Sequence, residues 1–119
     1  MKFTSKEMAA IVRIAKQMCN SDGRFSQSEI DNLVSFTENF DIREVENMAD
    51  DMTGYEAAAI LAAMDADQKY YVCCYFAELM AVDGVISDSE VKVWQFVSQL
   101  ANFPSMSIRE ALNSNYRKL

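Results

Sequence analysis

Apolar positions recur along this chain at three- and four-residue spacing, and polar residues interrupt them at helix-length intervals. Met8, Ile11, Val12, Ala15 and Met18 form one helical stripe. Ile30, Leu33, Phe36 and Thr37 form a second, continued by Phe40. Val91, Trp94, Val97 and Leu100 form another, predicted to face inward with Trp94 as a core anchor. From Tyr70 to Ala77 the chain is apolar on every face, which predicts a central buried helix within residues 65–83. Thr53 to Met64 is rich in alanine, so helices can approach closely there.

One local grammar marks the helix starts. A Ser, Thr or Asp followed three residues later by Glu or Gln is a capping box: the first side chain accepts from a first-turn N–H, and the second reaches back to the cap's own N–H. The pattern occurs at Thr4/Glu7, Ser26/Glu29, Asp41/Glu44, Thr53/Glu56, Asp65/Gln68, Ser87/Glu90 and Ser107/Glu110. Apolar residues precede these caps, and pairs such as Phe25 with Ile30 and Ile86 with Val91 form hydrophobic staples. With three Gly, one Pro and no alternating strand pattern, the chain reads as a single all-α domain of seven helices over residues 1–119.

Composition then narrows the chemistry. The absence of histidine removes His-based acid–base catalysis, Ser-His and Cys-His pairs and His-containing zinc sites. A net charge of −7 opposes nucleic-acid binding and attraction to anionic membranes. No apolar run approaches the ~20 residues that span a bilayer. With no secretory leader visible and three cysteines (Cys19, Cys73 and Cys74), the expectation is a cytoplasmic protein with reduced thiols. Eight acids and one base, Arg43, lie between Asp41 and Asp67. Helix N-termini account for many of these acids, whereas Asp50, Asp51 and Asp67 are left as candidates for a docking face or a cation.

The most informative feature is a duplicated loop. Residues 19–30 read CNSDGRFSQSEI and residues 80–91 read MAVDGVISDSEV. Asp22, Gly23, Ser26, Ser28 and Glu29 recur as Asp83, Gly84, Ser87, Ser89 and Glu90, offset by 61 residues. An internal duplication predicts two helical repeats, roughly 5–50 and 65–117, related by a pseudo-twofold with the twin loops side by side. The Gly-to-Glu spacing matches the back half of an EF-hand loop, but the front ligand positions fall on Met18 and Asn20 in one copy and on Leu79 and Ala81 in the other. Each loop keeps two carboxylates, too few for the six to eight oxygens that calcium prefers. Two roles stay open: a hydrated cation site, or caps and turns alone. Convergence of Asp22 with Glu29 would favour the first, and glutamates folded back onto Ser26 and Ser87 the second.

The apolar helix followed by A-x-D-G-x-φ-S-x-x-E, complete from Ala81 to Glu90, resembles the TerB-like (tellurite-resistance) family; the first copy departs from it in having Asn20. The resemblance spans nearly the whole chain. It implies an all-helical fold of two three-helix repeats around two central helices, and a bacterial stress-associated or scaffolding role. It also implies that loop acids bind a divalent cation such as Ca2+ or Mg2+; carried over, the metal ligands would be Asp22, Glu29, Asp83 and Glu90. The expectation is therefore a non-enzymatic module that binds a protein partner, with divalent-cation contact at the two Asp-Gly loops. The alternative is a purely structural or adaptor domain with no ion. Cys73 and Cys74 are expected to be buried and inert, the eight methionines to fill the core, and the basic tail at Arg117 and Lys118 to fray.

Overall fold

In the computed structural model, which describes residues 1–21, 23 and 25–118, every regular element is helical. Among these residues seven α-helices follow in order: α1 Ser5–Cys19, α2 Gln27–Phe36, α3 Ile42–Asp51, α4 Gly54–Ala62, α5 Ala66–Ala81, α6 Asp88–Leu100 and α7 Ile108–Leu112. A 3-10 turn, Tyr116–Lys118, closes the chain. Each α-helix begins directly after one of the seven caps read from the sequence. Asp41 and Thr53 make only the forward half of the box, accepting from first-turn N–H groups, whereas the other five boxes close in both directions.

Two helices form the centre. On α5, Val72 to Ala77 are all fully buried. α1 is enclosed almost as completely, from Met8 through Val12 and again at Ile14, Ala15, Met18 and Cys19. The stripe on α1 understated this because Ala9 and Ala10 are small enough to let neighbouring backbones come close on its other faces. α1 packs against α3, α4, α5 and α6, while α5 packs against α2, α6, α7 and the final turn. The outcome is a nearly isometric body of 32 × 30 × 26 Å.

The duplication is visible in the element boundaries. α1 starts at Ser5 and α5 at Ala66, and α2 starts at Gln27 and α6 at Asp88, each pair offset by the same 61 residues. α2 packs on α5 as well as on α1, and α6 on α1 as well as on α5, so the two hairpins interlock. Phe36 of α2 stacks on Tyr75 of α5 at a ring-centroid distance of 3.7 Å, a contact worth about 1 kcal/mol beyond its burial. Trp94 is buried, and its indole N–H donates to the Cys73 carbonyl at 3.2 Å.

Two expectations need correction. Leu100, read as inward-facing, is 41% exposed, and Ile30 of the second stripe is 37% exposed; a helical stripe reports apolarity, but only tertiary packing decides whether its edges are covered. The basic tail is tied down, because Arg117 makes a two-pronged contact with Glu78, Nε to Oε1 at 3.1 Å and one terminal nitrogen to Oε2 at 2.6 Å. The Asp83 carboxylate accepts from the Val85 N–H at 3.0 Å and so closes its own turn. The three cysteines are all buried. Burial, with Cys74 alongside, pushes the Cys73 thiol up to about 12.

Candidate functional site

The twin loops share their backbone geometry. Gly23 and Gly84 have φ of 79° and 82°, a left-handed conformation that a side chain disfavours. No atom lies within 4 Å of a β-carbon built on either, so conformation alone, and not close approach, demands glycine there. The Gly23 N–H donates to the Asn20 carbonyl and the Gly84 N–H to the Ala81 carbonyl, both at 3.0 Å. Each turn delivers the chain to a serine cap three residues on.

At those caps both glutamates fold back. The Ser26 N–H donates to Glu29 Oε1 at 2.9 Å, and the Glu29 N–H donates to Ser26 Oγ at 3.1 Å. In the second loop the Ser87 N–H donates to Glu90 Oε1 at 3.0 Å, and its hydroxyl donates to the same oxygen at 3.1 Å. By the criterion set at the sequence level, this geometry favours caps and turns for each glutamate taken singly.

Capping leaves two facts unexplained. Glu29 is 2% exposed and Glu90 3%, whereas the equivalent glutamate of the last box, Glu110, is exposed. The two buried carboxyl groups also meet. Glu29 lies beside Glu90 and raises its pKa, and Glu90 Oε2 is buried without a hydrogen-bond partner among the described residues. Desolvation raises the Glu90 pKa above the ordinary carboxylate range. The Ser87 hydrogen bonds pull it down, and the neighbouring Glu29 pushes it up again. The corresponding acids of the two copies thus face one another where the hairpins interlock.

Of the four metal ligands implied by the resemblance, the structure brings Glu29 and Glu90 together. Asp83 stands apart in its exposed turn, and Asp22 lies outside the described residues. Among the described residues no three acidic or thiol side chains converge as a ligand set. Asp50, Asp51 and Asp67 are exposed and do not join the pair.

A second polar knot lies on the other flank of α5. Glu78 accepts from Tyr116, Arg117 and the Asn32 amide, and the buried Tyr75 hydroxyl donates to Asn32 Oδ1 at 2.9 Å. Burial alone would raise the Glu78 pKa, but these donors and the guanidinium hold it below its usual range.

A crystal structure of a protein of unknown function from Porphyromonas gingivalis W83 superposes on this chain with a TM-score of 0.79 and 32% sequence identity, covering 95% of this chain and 97% of that one. The two chains belong to one family. No family model matches the sequence, and no curated protein does. No helix among the described residues is long and apolar enough to cross a membrane.

Sequence reasoning missed the Glu78 knot. Its glutamate stands just beyond an apolar run, and its partners lie 38 and 39 residues downstream. A lone carboxylate at the edge of such a run was the available signal, since a half-buried acid needs donors.

Proposed function

We propose that this chain is a non-enzymatic helical module, TerB-like in kind, that binds a protein partner in a bacterial stress response of the tellurite-resistance type and holds a divalent cation at Glu29 and Glu90. The observation that supports the cation is the buried, unpartnered Glu90 Oε2 beside a second carboxyl group. A buried acidic pair with one oxygen left without a donor is the environment a cation relieves. Two carboxylates suit Mg2+, which is held by one or two such groups and keeps much of its own hydration, better than Ca2+. With no histidine, and with the pair's Oε1 atoms engaged as caps, the site offers no nucleophile-and-base set, in keeping with binding over catalysis.

Isothermal titration with Mg2+, Ca2+, Mn2+ and Zn2+ tests the cation. The comparison is between the wild type and the Glu29→Gln/Glu90→Gln double variant. Glutamine keeps the caps, as Gln68 does at the start of α5, where the Asp65 N–H donates to Gln68 Oε1 at 3.1 Å. Binding heat lost in the double variant is the expected result. Heat that is absent throughout, or unchanged by the substitutions, removes the ion from the pair. The capping bonds of Glu29 and Glu90 specifically favour a structural or adaptor domain with no ion, and that role would then stand.

A further inference from the structure

The two repeats can be compared residue by residue, because α1 and α5, and likewise α2 and α6, begin at one offset of 61 residues. At that offset Trp94 of α6 corresponds to Leu33 of α2, and Cys73 corresponds to Val12. In the second repeat the indole of Trp94 lies against α5 and donates to Cys73. In the first, the smaller Leu33 leaves an apolar cleft of about 140 Å3 between α1, α2 and α3, with Val12 and Val45 in its wall. That is well below the ~300–1,000 Å3 of a small-molecule pocket and suits one bulky side chain.

The rim differs in the same direction. Val34 is 50% exposed and Ile42 38%, and with Ile30 they border the cleft. At the position of Val34 the second repeat carries an exposed Gln95. The second repeat has a wider opening at the same place, lined by Trp94, Gln95, Phe103 and Met106 but not by Cys73; the first presents aliphatic side chains around a cleft that reaches Val12. The charge of the α2–α3 hairpin is one-sided, with seven exposed acids between Gln27 and Asp51 against one base, Arg43, while in the wall of the cleft itself Lys16 pairs with Glu46 at 3.7 Å.

We infer that the α1–α2–α3 cleft is a docking site for a basic peptide segment of a partner protein, which inserts one bulky aromatic side chain where the second repeat inserts its own Trp94. This rests on the reading that the chain binds a protein partner and names the surface and the chemistry of that partner. The aromatic anchor follows from the internal copy, and the basic flanks from the acidic α2–α3 hairpin. Hot spots of this kind are dominated by a single desolvated anchor, and the surrounding charge sets the encounter rate and its salt dependence.

The test uses a dye-labelled amphipathic Lys/Leu peptide carrying one Trp, followed by fluorescence anisotropy against the full chain. Controls are the same peptide with Trp replaced by Ala and with Lys replaced by Glu. Two variants probe the cleft. Val34→Gln installs at an exposed position the residue that the other repeat already tolerates. Leu33→Trp lets the first repeat fill its own cleft, with its fold checked by circular dichroism. Each is expected to weaken binding about tenfold or more, as is the Trp-to-Ala peptide; the Glu peptide is expected not to bind, and rising salt to weaken the Lys peptide.

Binding within about twofold of wild type in both variants overturns this surface while leaving partner binding intact, as does equal binding of the Glu peptide. Loss confined to Tyr55→Ala or Phe96→Ala would do the same by moving the site to the α1–α4–α6 face. No binding of either peptide at any face overturns both the surface and the partner reading. Self-association of the chain that Val34→Gln abolishes would make the occupant a second copy and would also overturn the proposal. The cation titration is decided separately from all of these.

Discussion

Glu78 on α5 and Glu90 on α6 are both acids drawn into the body of the protein, and they have opposite surroundings. Glu78 is met by Arg117, Tyr116 and Asn32, and its pKa falls despite desolvation. Glu90 is met by its own cap and by another carboxyl group, and its pKa rises. Burial pushes both the same way, so the supply of donors decides the sign. The Glu78 knot is a finished structure. The Glu29–Glu90 contact is an open one, with a Glu90 oxygen that no group among the described residues satisfies.

The sharpest way to break this contrast is to remove each side of it. Glu90→Ala leaves the half-buried Ser87 N–H without its acceptor and empties a buried site, and about 2–3 kcal/mol of stability should be lost. Glu110→Ala, at an exposed box of the same sequence grammar, should cost about 0.5 kcal/mol. Urea midpoints at equal slope measure both, and equal losses would show that burial of the inner box is immaterial. Glu90→Gln should stay within about 1 kcal/mol of wild type at neutral pH, because the cap survives and the like-charge contact goes; a loss as large as that of Glu90→Ala would contradict this.

The pH dependence should split by sign, measured with chelator present. Glu90 holds its proton better folded than unfolded. Its contribution is therefore full below the ordinary carboxyl range and is lost as pH rises through its raised value. Glu78 is the reverse: its contribution is present above the ordinary range and is lost as pH falls through its depressed value. Glu90→Gln should flatten the decline on the alkaline side and Glu78→Gln the decline on the acid side. Thermal midpoints across pH would read both, and identical profiles for the two variants would refute the assignment. Arg117→Ala should also have a small effect. The guanidinium is half exposed, so about 0.5–1 kcal/mol should be lost, falling with added salt.

These cases mark where the sequence could be read. All seven helix starts were legible because a cap is a contract between residues three apart, and its hydrogen bonds appear where Thr4, Ser26 and Ser87 predicted them. The all-helical fold followed from the same local signals. The Glu29–Glu90 meeting was not legible, because Ser26/Glu29 and Ser107/Glu110 are spelled alike and only packing separates buried from exposed. The duplication was the one pointer, since twin loops could be expected to lie together. Val34 and Ile30 show the converse limit: their apolar character was plain, but whether α3 covered them depended on chain geometry far from either residue. Arg117 looked like loose tail because its carboxylate partner lies 39 residues upstream.

The enclosed thiols carry a practical consequence. Cys19 belongs to the first central helix, and Cys73 and Cys74 belong to the second. Alkylating reagents attack the thiolate, and with burial holding Cys73 near 12 almost none forms while the core stays shut. Labelling would therefore proceed at the pace of opening, and the order in which the two helices surrender their sulfurs would reveal which half of the duplicated body loosens first.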